Sequence, residues 1–379
     1  LDTEILHGYI ASGHVDVRYH KTLPLRICTF SKKVVYENAW DSVTEKCRGL
    51  IVDDKGIVIA RPFEKFFTIN TDYRPETWIQ NLPNTEPIVL DKLDGSLGIL
   101  YKYQGVSGIA TKGSFHSDQA EWATAWYRKN CPNPQWPVGF TPVFEIIAES
   151  VQHHVVDYAG QHTLVLLALI DNETGEEASY NECYHWAYIN GLKVADVYAK
   201  TLADILAEDR SNAEGYVCSW PRPGQPPLKV KVKHPGFLKL QKVVHAATPK
   251  AILEMLTSGD VDQLNDWMNN LPASPLVVWI QDWVCKFNAE YGRILLQARQ
   301  LYQRANINFM MNEETNGRKA FAEYVKANGR ELTPVCFAML DGKNHSKIIW
   351  KLIAHNFREE LSKPFAVTDG QEVYECSST

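Results

Sequence analysis

Up to about residue 243 the apolar residues fall in short runs broken by Gly, Pro and Asp, the pattern of strands joined by turns. These runs predict strands at 50–52, 88–90, 97–103, 143–147, 163–169, 215–219 and 228–232. Helical spacing interrupts them at 117–129 and 181–190, which makes this part α+β with antiparallel sheets. After Lys242 the period changes. Thr248-Pro249, Ser274-Pro275 and Thr333-Pro334 each set a capping hydroxyl before a proline suited to the first helical position. Beyond the second of these, Val277, Ile280, Val284, Phe287, Tyr291, Ile294, Ala298 and Leu301 recur at intervals of three and four, one apolar stripe that belongs to a core. The expected division is a β-rich domain over residues 1–243 and an all-helical domain over residues 244–379.

Composition narrows the class. A chain of 379 residues can bury two cores, and its 45% hydrophobic content with no low-complexity block is that of a protein folded throughout. The longest apolar stretch, 164–170, is too short to cross a bilayer, and the first thirty residues lack a signal-peptide core. An intracellular, cytoplasmic protein without a membrane role is expected. Eight cysteines scattered singly from Cys28 to Cys376 suit a reducing compartment and show no zinc spacing, and His153-His154 has no further ligand near it. A net charge of −6 argues against nonspecific coating of nucleic acid, so any such contact needs a local basic cleft.

The sharpest chemical signal is Lys92-Leu93-Asp94-Gly95-Ser96 after the strand-like run at 88–90. It sets a lysine on a tight surface turn at the end of a rigid strand, as a nucleophile requires, with Gly95 allowing close approach of backbone to a ligand. Other segments supply what an amine attacking a phosphate needs. Phosphoryl transfer asks mainly for positioning and positive charge, which Arg48, Lys112, Lys231 and Lys233 can provide. In Lys229-Val230-Lys231-Val232-Lys233 the period of two puts all three lysines on one face and the valines on the other. Glu145 and Glu214 sit in apolar sequence, where a lone carboxylate is costly, and are expected to meet a cation; two carboxylates beside phosphate oxygens suit Mg²⁺.

Taken in order, these segments resemble the covalent nucleotidyltransferase superfamily of polynucleotide ligases and RNA-capping enzymes, most closely the T-even phage RNA ligase 1 family, over residues from about 26 to 240. The family's lysine-x-aspartate-glycine-serine motif matches Lys92 to Ser96, and its arginine-glycine element matches Arg48-Gly49. Its lysine-glycine-serine element matches Lys112-Gly113-Ser114, its glutamate motifs match Glu145 and Glu214, and its lysine-x-lysine motif matches Lys231 and Lys233. Arg61-Pro62-Phe63-Glu64-Lys65-Phe66-Phe67 resembles the segment that gives a lysine and an aromatic ring to the nucleotide, here Lys65 and Phe67.

The resemblance implies an ATP-dependent RNA ligase that stores AMP on Lys92 and joins a 5′-phosphate to a 3′-hydroxyl. Catalytic roles fall to Lys92, Lys231 and Lys233. Nucleotide contacts fall to Arg48, Lys65, Phe67, Gly95, Lys112, Glu145, Val217, Lys231 and Lys233, with Phe237 a further ring for the same region. Glu145 and Glu214 would hold Mg²⁺, for which Mn²⁺ can substitute. The helical second domain favours an RNA ligase over DNA ligases and capping guanylyltransferases, which carry a β-rich domain there. The alternatives are those two enzymes, or an RNA-end-binding protein without turnover. Asp260 and Asp262 read as helix-cap and surface residues. The expected partners are RNA ends, with tRNA among the candidates, and a kinase-phosphatase that prepares them, and the enzyme is expected to act as a monomer in RNA repair.

Overall fold

The computed structural model describes residues 3–148, 155–270, 275–311 and 317–361, so His153-His154 and Cys376 lie outside the described residues. Described residues up to Gln241 form one compact unit and those from Lys242 to 361 another. The helix Pro235–Ala246 runs through the junction.

The first unit contains three sheets. Four strands, Val15–Tyr19, Leu25–Phe30, Arg48–Asp53 and Val58–Ala60, pair antiparallel in chain order. A second sheet has the order Lys193–Val194, His162–Asp171, Phe140–Ala148, Ser96–Tyr103, Val106–Ala110. The third has the order Val197–Tyr198, Ile88–Lys92, Gly215–Arg222, Gln225–Lys233, Phe67–Thr68. Every strand expected from the sequence is present, and the sheets are antiparallel except at two short edge pairings, Val230–Lys231 beside Phe67–Thr68 and Val165–Leu166 beside Lys193–Val194.

Local chemistry places the helices. The helix Asp118–Asn130 starts where Ser117 Oγ accepts the Ala120 amide, and it buries Ala123 and Tyr127 against Leu100, Ile109, Phe144 and Ile146 of the second sheet. Each large side chain so buried contributes about 1.5–3 kcal/mol. A complete capping box, Ser179 with Glu182, starts Tyr180–Ile189 on the same core.

The second unit is helical in its described part, from Pro249–Ser258 to Arg358–Leu361. Thr248 caps its helix as expected, its side chain accepting the Ala251 amide. Asp260 likewise acts as a cap, accepting the Gln263 amide. Thr333 does not cap. The chain enters that helix directly from the turn Arg330–Leu332, so Thr333 is already helical and its hydroxyl has no partner among the described residues. The 37-residue helix Pro275–Met311 buries Ile280, Phe287, Ile294, Ala298 and Leu301 along the expected stripe.

Candidate active site

Three adjacent strands build the site. Across Ile88–Lys92, Gly215–Arg222 and Gln225–Lys233, the residues Lys92, Gly215 and Lys233 form one row, Leu90, Val217 and Lys231 the next, and Ile88, Ser219 and Lys229 a third. Because strand side chains alternate, these rows share one face. The reverse face carries Val89, Tyr216, Cys218, Val230 and Val232 into the core. The three lysines are therefore not a solvated stripe. Each is buried, and each has its own neighbours. Lys229 Nζ lies 2.6 Å from Glu177 Oε2 and 4.0 Å from the centre of the Phe63 ring. Lys231 Nζ stands 4.9 Å from the Phe66 ring, and Lys233 Nζ is 3.0 Å from Glu214 Oε1.

Lys92 is the last residue of its strand, as expected, but it is not a surface lysine: its side chain is 18% exposed and Nζ lies 2.7 Å from Glu214 Oε1. Glu214 thus binds two ammonium groups from the outer strands of the row. Gly215 makes this row close-packed, since at φ +149° a Cβ would come 2.1 Å from Val232 O. Gly95 does the same on the other side, where a Cβ would stand 2.6 Å from Ile146 O and 2.7 Å from Glu145 Cγ. Glu145 is held opposite Leu97 in the Ser96–Tyr103 and Phe140–Ala148 pairing.

A cavity opens onto these groups. Arg48, Lys92, Gly95, Lys112, Glu145, Glu214, Val217 and Lys231 all line it, together with Phe63, Phe66, Leu167, Ala195 and Gln241. Lys233 reaches it through Glu214 and through Gln241 Oε1 at 3.4 Å. Lys65 and Phe67 are not brought to this cavity. They line a neighbouring depression that shares the Phe63, Phe66 and Lys229 walls. The reason is parity: Phe67 pairs with Val230, whose side chain faces the core, so the cavity side falls to Phe66. Phe67 packs instead edge-on to Trp40 and Tyr73, with Lys65 Nζ 5.0 Å from its ring. Phe237 is also absent from the cavity wall; it is buried under Lys233 at 5.3 Å.

The electrostatics are those of a cation-hungry and anion-hungry site at once. Burial pushes Glu145 up to about 8, with Glu214 and Asp94 adding to the rise and Lys92 and Arg48 opposing it. Burial works against ionisation of Glu214 too, but Lys92 and then Lys233 overcome it and hold its pKa below the ordinary value. Arg48 Nε and Nη1 are buried with no hydrogen-bond partner among the described residues. A buried unpaired donor costs roughly 1–3 kcal/mol, so an anion in the cavity would recover that energy. Asp94, within the lysine motif, serves the structure of the turn. Its Oδ2 accepts the amides of Val155 and Val156, and its own amide donates to Tyr158 Oη. Burial is the main reason its pKa rises to about 6. Phe66, Leu167, Ala195 and Gln241 were not legible as site residues; only Phe66 had a signal, as a ring adjoining the chosen one.

The residues present fit a divalent metal and a nucleotide. Glu145 and Glu214 offer hard oxygen donors, although no group of three or more His, Cys, Asp and Glu able to hold a metal occurs among the described residues. Phosphate oxygens and water would complete such a shell.

Comparison with known proteins gives a match to the family described as RNA ligase over residues 46–235, half of the chain. A protein of Autographa californica nuclear polyhedrosis virus described as a bifunctional polynucleotide kinase/RNA ligase is 24% identical over 255 residues, covering 58% of this chain and 34% of its own length. The chain thus spans about a third of that relative. Among solved structures, a Naegleria gruberi RNA ligase variant with ATP and manganese is 19% identical, covering 46% of this chain and 56% of its own, at a TM-score of 0.36. An archaeal ATP-dependent RNA ligase is 14% identical, covering 65% and 64%, at a TM-score of 0.44. The family match over residues 46–235 contains Lys92, Gly215 and Lys233 of that strand row.

Proposed function

This chain belongs to the RNA ligase family, and from that premise we propose that it is an ATP-dependent ligase that joins RNA 5′-phosphate and 3′-hydroxyl ends through an AMP held on Lys92. The observation that carries this reading is the placement of one amine, Lys92 Nζ, in a cavity with Arg48, whose Nε and Nη1 are buried without a hydrogen-bond partner among the described residues, with Lys112 and Lys231, and against Glu214.

In the first step Lys92 Nζ, having lost a proton, forms a P–N bond to the α-phosphorus of ATP as the bond to pyrophosphate breaks. An ordinary lysine, with a pKa near 10.4, is protonated at neutral pH, and its ion pair with Glu214 means that the proton must leave before attack. Glu145 and Glu214 would hold Mg²⁺ or Mn²⁺, which supplies positive charge to the phosphates. Lys231, Lys112 and Arg48 orient the phosphate oxygens, and Phe66 presents its ring face to the base or ribose. In the second step an RNA 5′-phosphate oxygen attacks the same phosphorus, the P–N bond breaks and the amine is regenerated. In the third a 3′-hydroxyl attacks the activated 5′-phosphate; its proton departs and AMP leaves.

The description of the viral relative joins a polynucleotide kinase to a ligase, and we take a kinase-phosphatase as the source of 5′-phosphate and 3′-hydroxyl ends here. The helical unit is assigned to choice of the RNA, tRNA among the candidates, and the enzyme to a monomeric, cytoplasmic state in RNA repair. No helix among the described residues is long and apolar enough to cross a membrane. Incubation with ATP, Mg²⁺ and a 5′-phosphorylated RNA should give a joined or circular product. Adduct formation with GTP in preference to ATP, or sealing of nicked DNA alone, would overturn the assignment.

A further inference from the structure

One short segment anchors the catalytic row from behind. Asp91, Tyr216 and His234 each adjoin a member of the row Lys92, Gly215 and Lys233, turn to the reverse face, and bond to residues 208–210. Arg210 Nη2 donates to Asp91 Oδ1 at 3.3 Å. Tyr216 Oη donates to Glu208 Oε2 at 2.5 Å and accepts from Arg210 Nη1 at 3.3 Å. His234 Nδ1 donates to the Glu208 carbonyl at 3.1 Å. Between them, Asp209 Oδ1 accepts the amide of Gly236 at 3.1 Å, in the first turn of the helix that carries Gln241 to Lys233. Lys200 Nζ closes the set, 2.7 Å from Glu208 Oε1 and 3.0 Å from Tyr216 Oη.

We propose that Glu208, Asp209 and Arg210, with Tyr216, form a positioning clamp for adenylyl transfer, fixing the relative advance of the three strands that carry Lys92, Glu214 and Lys233. The inference rests on the ligase reading. Ladder hydrogen bonds and apolar packing would hold this sheet together, but they tolerate twisting of one strand against another. Ion pairs and hydrogen bonds from all three strands to a single tripeptide do not, because a shift of any strand breaks a directional contact. These side chains bond on the reverse face to Glu208, Arg210 and Lys200, and Tyr216 is fully buried, so the clamp acts through geometry. Misplacement of reacting groups by fractions of an ångström lowers rates steeply while leaving ground-state binding nearly intact.

The test uses the full chain and single-turnover formation of the protein-AMP adduct over a range of ATP concentrations. Tyr216→Phe keeps the buried ring and removes the hydroxyl; Arg210→Met and Arg210→Lys form a second, independent pair. Thermal midpoints of all variants fix an assay temperature at which each is folded. Tyr216→Phe should lower the maximal rate about tenfold with the half-saturating ATP concentration changed less than about twofold. Arg210→Lys should recover most of what Arg210→Met loses. Parent-like maximal rates in folded Tyr216→Phe and Arg210→Met overturn the clamp, as does a loss confined to ATP half-saturation. If Tyr216→Phe does not fold, the Arg210 pair decides alone. Failure of the parent protein to form any adduct would instead remove the ligase reading.

Discussion

Gly95→Ala places one methyl group where the structure has no room. The new Cβ would lie 2.6 Å from Ile146 O, 2.7 Å from Glu145 Cγ and 2.8 Å from Glu145 Oε1. Ordinary contact begins at 3.4 Å, so the closest approach falls short by about 0.8 Å, and the obstacle is a backbone carbonyl in a paired strand. The turn after Lys92 must move away from the Phe140–Ala148 strand, or Glu145 must swing out of the cavity. Overpacking of this kind costs about 1–3 kcal/mol of stability, which leaves a protein of this size folded at moderate temperature. Displacement of Lys92 relative to Glu145 by a large fraction of an ångström should lower the adenylylation rate about 10²-fold. The assay is single-turnover transfer of labelled AMP to the protein, with the thermal midpoint measured in parallel. A folded Gly95→Ala protein that adenylylates at the parent's rate would refute both the close packing at this turn and its part in positioning the amine.

Other expectations follow from the same site. Arg48→Met removes two buried donors, Nε and Nη1, that have no hydrogen-bond partner among the described residues, so the nucleotide-free protein should gain about 1 kcal/mol or more while its adenylylation rate falls; a destabilised variant would show that Arg48 is satisfied without ligand. Glu145→Gln tests the raised carboxylate. With a folded pKa near 8 against an ordinary 4.5, ionisation penalises the native state, so the penalty is absent below pH 4.5, grows as pH rises to about 8 and is constant above. The thermal midpoint of metal-free Glu145→Gln should therefore exceed the parent's increasingly across that window, and parallel curves for the two proteins would contradict it. Gly292→Ala, on the exposed side of Pro275–Met311 with nothing within 4 Å of the new methyl, should stabilise the protein by about 0.5–1 kcal/mol in denaturant unfolding; a loss would mean that the helix bends or packs there.

What the sequence made legible was whatever depends on local period. Lys229, Lys231 and Lys233 alternate with valines, and a strand turns that alternation directly into two faces. Thr248-Pro249 announces a helix because a cap and its proline act within one turn. What depends on distant partners stayed hidden. Whether Phe66 or Phe67 meets the cavity is decided by which of them lies level with Val230, more than 160 residues away, and the resemblance that pointed to Phe67 carries no information on that pairing. Asp94 looked like part of the chemical motif, yet its carboxylate is engaged by amides about 60 residues on. Thr333 shows the limit of local signals themselves: a capping hydroxyl before proline did not cap, because the preceding turn had already started the helix. Lys92 was recognised by its motif, but its burial against Glu214 required the strand pairing.

The most direct measurement is peptide mapping of the AMP adduct after the purified chain is incubated with ATP and Mg²⁺. One AMP should be found, bound through nitrogen to Lys92, and lost on incubation with pyrophosphate or 5′-phosphorylated RNA. An adduct on a different side chain, or none from a folded protein, contradicts the assignment of that amine as the nucleophile.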